Sequence, residues 1–138
     1  MPAVFDYIDA NKEKFKDQLF ELLRIPSIST SSAHKKDIRS AAEYLKDKLK
    51  ALDLDRSEIF ETEGNPIVYG ELTTDQSKPT VLVYGHYDVQ PPDPVDLWET
   101  APFEPTVRDG NIYARGASDD KGQSFTHIKA LEAYRESG

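Results

Sequence analysis

His86 and Asp88 stand two residues apart, directly after the apolar run Val81, Leu82, Val83, Tyr84 and Gly85, and are followed by Val89, Gln90 and Pro91. Residues two apart in an extended segment project from the same face, so an imidazole and a carboxylate there share one pocket. A neutral imidazole ligates zinc through one ring nitrogen, and a carboxylate that accepts from the other nitrogen fixes the tautomer. A second stretch, Arg115, Gly116, Ala117, Ser118, Asp119, Asp120, Lys121, Gly122 and Gln123, sets two adjacent carboxylates just ahead of a helical pattern. An aspartate at that point can act as a helix N-cap, accepting backbone N–H groups and complementing the helix dipole, and Asp120 suits that role. Two acids flanked by Gly116 and Gly122 exceed what one cap requires, which leaves Asp119 as a candidate ligand for a divalent cation.

The elements that must carry these residues are legible in the hydropathy pattern. Val4, Ile8, Phe15, Leu19, Leu22 and Leu23 fall on one helical face over residues 4–23, and Pro26 ends that helix. After a polar connection at 27–33, Ile38, Ala41, Ala42, Leu45, Leu49 and Leu52 line a second amphipathic helix, with Lys46, Lys48 and Lys50 mostly opposite. Short β-branched or aromatic runs at 59–60, 67–72 and 81–84 then read as strands. The third does not alternate with polar residues, which predicts burial on both faces of a sheet flanked by helices. Asp109 and Gly110 between 106–108 and 112–114 give a two-residue hairpin signal. Phe125, Ile128, Leu131 and Tyr134 predict a third helix over 121–137 with Gly138 as its C-terminal cap. The expectation is one α/β domain over 1–138, a partial three-layer arrangement with a central mixed sheet between helices. In such folds functional groups gather where strands end, and His86 and Asp88 are placed there.

Composition narrows the function. With 17 Lys plus Arg against 25 Asp plus Glu, the formal charge is −8, and the longest basic run is the pair Lys35 and Lys36. Nucleic-acid binding depends on clustered cations, so a nucleic-acid partner is not expected. No apolar run approaches the roughly 20 residues of a membrane span, so no membrane partner is expected either. The chain has no cysteine and starts without a basic, apolar leader, which makes the cytoplasm the expected compartment.

Taken together, His86, Tyr87, Asp88, Val89, Gln90, Pro91, Trp98, Pro102, Phe103, Asp109, Gly110, Ile112, Tyr113, Arg115, Gly116, Asp119, Asp120, Lys121 and Gly122 resemble the amino-terminal half of the catalytic domain in co-catalytic zinc peptidases. That family includes aminoacylase, the glutamate carboxypeptidases and carnosinase, and the wording here is most similar to the carnosinase-like dipeptidases. The resemblance implies that His86 binds the first metal, that Asp119 bridges two metals and that the Asp119–Asp120 bond is cis. It implies that Asp88, the one residue placed in the catalytic set, orients His86. The implied cofactor is Zn2+, two per complete site, with Mn2+ as an alternative, and the implied substrate is a dipeptide, another peptide or an N-acyl amino acid. His127 matches no ligand position and is expected to be a partly exposed structural histidine, while His34, in the polar segment before the second helix, is expected to be solvated.

The family also uses a pair of consecutive glutamates, a further acidic ligand and a final histidine, and no Glu-Glu dipeptide occurs in these 138 residues. The expectation is therefore an inactive segment of a metal-dependent dipeptidase, ending before the remaining ligands and the lid and dimerisation domain. The alternative is a non-catalytic binding module with a vestigial metal site. The complete enzyme is expected to be a homodimer. For this chain alone, self-association through an open edge or apolar face at 81–84 is expected.

Overall fold

A computed structural model describes residues 1–138. Helix α1 covers Pro2–Arg24, followed after a short 3-10 turn by α2 at Lys35–Lys50. Strands β1 (Arg56–Phe60) and β2 (Ile67–Glu71) form an antiparallel ribbon in which Ile59 faces Val68. A long connection then leads to the hairpin of β3 (Thr106–Arg108) and β4 (Asn111–Tyr113), and α3 closes the chain at Lys121–Glu136. The turn residues Asp109 and Gly110 have φ of 51° and 77°, the left-handed pair that a two-residue hairpin turn requires. Gly138 follows α3 with φ 86°.

The core is where α1, α2 and α3 meet: Leu22, Ala41, Leu45 and Phe125 form its buried cluster, with Leu19, Ile25, Tyr44, Val68, Tyr87 and Ile128 packed around it. Helix α2 buries Ile38, Ala41, Ala42 and Leu45 as its apolar spacing predicts, and its other contacts are with β1 and β2. The Tyr44 hydroxyl shares its single proton between Gln18 O at 2.6 Å and Glu21 Oε2 at 2.8 Å, joining α2 to α1. No helix is long and apolar enough to cross a membrane.

The α/β class expected from the sequence is the class observed, but its strands are arranged differently. They form two separate antiparallel ribbons, and these residues do not assemble a mixed sheet at the centre. The expected buried strand at 81–84 is instead an extended segment with no ladder partner, and Val81, Leu82, Val83 and Tyr84 are 82%, 87%, 56% and 87% exposed. A strand is stable only when its N–H and C=O groups pair with a neighbour. Here β1 pairs only with β2 and β3 only with β4, and no strand lies against 81–84.

The buried face of α3 also departs from the apolar spacing. It carries Lys121, Phe125, Lys129, Glu132 and Ala133, while Tyr134 is 54% exposed. The two interior charges near its end are paired, Lys129 Nζ lying 2.6 Å from Glu132 Oε2. Lys14 reaches Glu132 Oε1 from α1 at 2.8 Å. Burial pushes the Glu132 carboxyl up, but the hydrogen bonds from Lys129 and Lys14 outweigh it and hold the group below the usual glutamate value.

Candidate metal centre

The site is built on a segment with almost no secondary structure of its own, held by three others. Where α1 ends, residues 27–29 run beside 87–89: Val89 N–H donates to Ser27 O at 2.9 Å, and Ile28 and Val89 form a single parallel bridge. Ser27 Oγ donates to Tyr87 O at 2.6 Å, and Ser29 Oγ donates to Asp88 Oδ2 at 2.5 Å. Tyr87 anchors the other side by donating its hydroxyl proton to Pro66 O at 2.5 Å, and burial pushes that phenol up to about 12.

With the backbone so fixed, His86 and Asp88 do share one pocket. His86 Nδ1 is 3.0 Å from Asp88 Oδ1 and Nε2 is 3.0 Å from Asp119 Oδ1, so the ring is held between two carboxylates. Asp119 is the open member, its side chain 86% exposed. The Asp119–Asp120 peptide bond is cis. Burial pushes the His86 imidazole down, but the hydrogen bonds to Asp119 and Asp88 outweigh it, and the net shift is upward from the ordinary histidine value. His86, Asp88, Gln90, Arg115, Ser118 and Asp119 line a cleft of about 350 Å³. Its wall is braced by Arg115, which donates to Pro91 O at 3.1 Å and lies over the Trp98 ring, 5.2 Å from its centroid.

The donor set suits a metal. Zinc–nitrogen and zinc–oxygen bonds of about 2.0–2.2 Å in a tetrahedral shell put neighbouring donors roughly 3.3 Å apart. His86 Nε2 and Asp119 Oδ1 are 3.0 Å apart, so a small opening of the pair would admit an ion. No group of three His, Asp or Glu side chains is arranged to hold one. His127 lies exposed on α3, and His34, which was expected to be merely solvated, pairs through Nδ1 with Asp37 Oδ2 at 2.7 Å.

Three groups of residues that shape the site escaped the sequence reading. Ser27 and Ser29 were covered only by a polar connection, although their alternation about Ile28 is a strand-like signal. Asp120 occupies the N-cap position of α3, as its place in the sequence suggests, but makes no side-chain cap bond. Its carboxylate instead accepts the backbone N–H of His86. Lys121 is fully buried, and its ammonium donates to Leu22 O at 3.0 Å and Ile25 O at 2.6 Å, where α1 ends.

In this α/β chain an imidazole and an exposed carboxylate thus converge on one cleft. Residues 82–138 match peptidase family M20/M25/M40. The chain is 34% identical over its whole length to a Cys-Gly metallodipeptidase of Schizosaccharomyces pombe and 34% identical over 98% of its length to human beta-Ala-His dipeptidase. Among solved structures it superposes on the di-peptidase Dug1p of Saccharomyces cerevisiae with a TM-score of 0.89 at 29% identity, covering 99% of this chain and 31% of that one. On human carnosine dipeptidase 1 the TM-score is 0.88 at 33% identity, covering 98% and 31%. The chain belongs to peptidase family M20. It spans 31% of the fission-yeast relative and 29% of the human one.

Proposed function

We propose that this chain supplies part of the metal site of a dipeptidase, with His86 and Asp119 as ligands and Asp88 orienting His86. The observation that carries this reading is the relay from Ser29 through Asp88 and His86 to Asp119, every link at 2.5–3.0 Å. Asp88 accepts at Nδ1, which directs the lone pair of Nε2 toward Asp119 and the cleft. Asp119, open to solvent on its far side, is free to reach a second ion. The donors, one imidazole and one carboxylate, fit Zn2+, with Mn2+ as the alternative. A divalent metal bound there would polarise the scissile carbonyl and lower the pKa of water at neutral pH. The substrate class is a dipeptide or a related amide such as an N-acyl amino acid, supported by relatives named as Cys-Gly and beta-Ala-His dipeptidases.

Titration calorimetry of the 138-residue chain with zinc tests the site. Binding is expected to be weak, because a catalytic zinc ordinarily has three protein ligands and only two are placed here. His86→Ala should remove it, and equal affinity in both chains would overturn the assignment. The pH dependence has a definite sign. The proton on His86 competes with the metal and is held more tightly than on an ordinary histidine. Affinity should therefore fall as pH is lowered through a value above the usual histidine range, approaching about tenfold per pH unit below it.

We infer that the general base and remaining ligands of the complete site come from sequence outside these residues. Base catalysis typically contributes about 10²- to 10⁴-fold, and both carboxylates beside the proposed ligands are engaged, Asp88 by His86 and Ser29 and Asp120 by the His86 amide and Ser124. Dipeptide hydrolysis by this chain with added zinc or manganese should stay at the buffer rate. Turnover above that rate, abolished by Asp119→Ala, would refute the inference.

A further inference from the structure

We propose that Asp120 is a positioning residue that fixes the backbone of His86 for metal ligation, with Ser124 holding the aspartate in place. The inference rests on the metal-site reading above. A single oxygen, Asp120 Oδ2, accepts the His86 N–H at 2.9 Å and the Ser124 hydroxyl at 2.6 Å. The two adjacent carboxylates thus grip one histidine from two directions, Asp119 at its ring nitrogen and Asp120 at its main chain. The result is a closed circuit: His86 Nε2 to Asp119, along the chain to Asp120, and back to His86 N. Closing it limits how far the two proposed ligands can drift apart, because His86 cannot swing away without breaking a bond at either end.

Two further observations show that the local structure is committed to this contact. Asp120 stands at the N-cap position of α3 yet caps none of its backbone N–H groups with its side chain. Gly85, the residue before His86, is packed so closely that an added Cβ would overlap Ser124 Oγ and lie 2.9 Å from Asp120 Oδ2. The absence of a side chain there lets the Asp120–Ser124 pair reach the His86 amide. Burial pushes the Asp120 carboxyl up, but the Ser124 and His86 hydrogen bonds outweigh it and keep the group below the ordinary aspartate value, so it accepts as an anion at neutral pH.

The test compares Asp120→Ala, Asp120→Asn and Ser124→Ala in the 138-residue chain, using zinc calorimetry and the His86 amide resonance in ¹H–¹⁵N spectra of the metal-free protein. Loss of a partner that orients a ligand typically costs about 10- to 100-fold in metal affinity. That range is expected for Asp120→Ala, together with an upfield move of the His86 amide proton. Asn offers one oxygen in the position of Oδ2 and should retain affinity within about threefold, a rescue that general damage to the fold would not show. Ser124→Ala, which removes one neutral hydrogen bond, should weaken zinc by about fivefold. It also provides the readout if Asp120→Ala does not fold. Parent-like affinity and an unmoved His86 amide in Asp120→Ala and Ser124→Ala would overturn the positioning role while leaving the metal site standing. If zinc binding by the parent chain is indifferent to His86→Ala, the metal site itself fails and the inference goes with it.

Discussion

Lys121→Ala should lower the stability of this chain by about 3 kcal/mol at neutral pH, a drop of roughly 10 °C in its unfolding temperature. Lys121→Met should cost about 1 kcal/mol or less. Truncation to alanine removes two hydrogen bonds from an ammonium to Leu22 O and Ile25 O, each worth about 1.5–3 kcal/mol. It also empties a fully buried site, which costs roughly 2–5 kcal/mol for a side chain of this length. Against these stands relief of a buried charge: burial pushes the ammonium down to about 8, so holding it charged costs on the order of 3 kcal/mol. Both carbonyls keep a second partner, since Ile25 N–H donates to Leu22 O and Ser27 N–H to Ile25 O, so neither is orphaned. Methionine fills the space and sheds the charge, losing only the hydrogen bonds. The lysine also sets a pH signature. Between about 8 and its ordinary 10.5 the unfolded chain binds more protons at this position than the folded one, so the contribution of Lys121 to stability rises with pH across that window. Tyr44 and Tyr87, raised by burial, act in the opposite sense from about pH 10 upward. Melting at pH 7 and pH 9.5 separates the contributions, and a parent-like alanine variant would refute the account.

Gly122→Ala should damage both stability and metal binding, whereas Gly64→Ala should alter neither. An added Cβ on Gly122 would overlap Ala117 O, a backbone atom that no rotamer change can move. The same turn is tied by the Gly122 N–H donating to Gly116 O at 3.3 Å. Relief therefore requires shifting either the start of α3 or the turn that carries Ser118 and Asp119. Overpacking of this kind costs about 1–3 kcal/mol, and a clash with the main chain falls at the upper end. A displacement near 1 Å would separate Asp119 from His86, with zinc affinity expected to fall by about tenfold or more. At Gly64 the nearest atom to an added Cβ is Thr62 Oγ1 at 3.7 Å, ordinary contact, which makes it the control. Urea unfolding with calorimetry checks both, and unchanged stability in Gly122→Ala would show that the turn is not fixed as described.

The helices were legible because their apolar residues repeat at helical spacing and the partners of α1 and α2 lie within the chain. The hairpin was legible because Asp-Gly is a local signal. The segment 81–84 was not, since its β-branched sequence specifies a strand while pairing depends on a neighbour these residues do not provide. The buried face of α3 was misread because periodicity counts apolar side chains, and here Lys121 and Glu132 occupy the interior through partners on α1, and Lys129 through its ion pair with Glu132. His86, Asp88 and Asp119 were identifiable by type and spacing. What braces them was not: Ser29 lies 59 residues from Asp88 in sequence and Asp120 lies 34 from His86.

Those separations bear on how the site comes into being. Lys121 Nζ reaches a carbonyl 99 residues earlier, and Ser27 grips Tyr87 across 60. Contacts of such span form only after a large chain-closure entropy has been met, and they slow folding relative to local pairing. The cleft is therefore not preassembled in the motif-bearing stretch that matches the family. Docking of α1 and ordering of the loop at 86–89 are one event, so anything that frays the first helix also loosens a histidine more than sixty residues downstream.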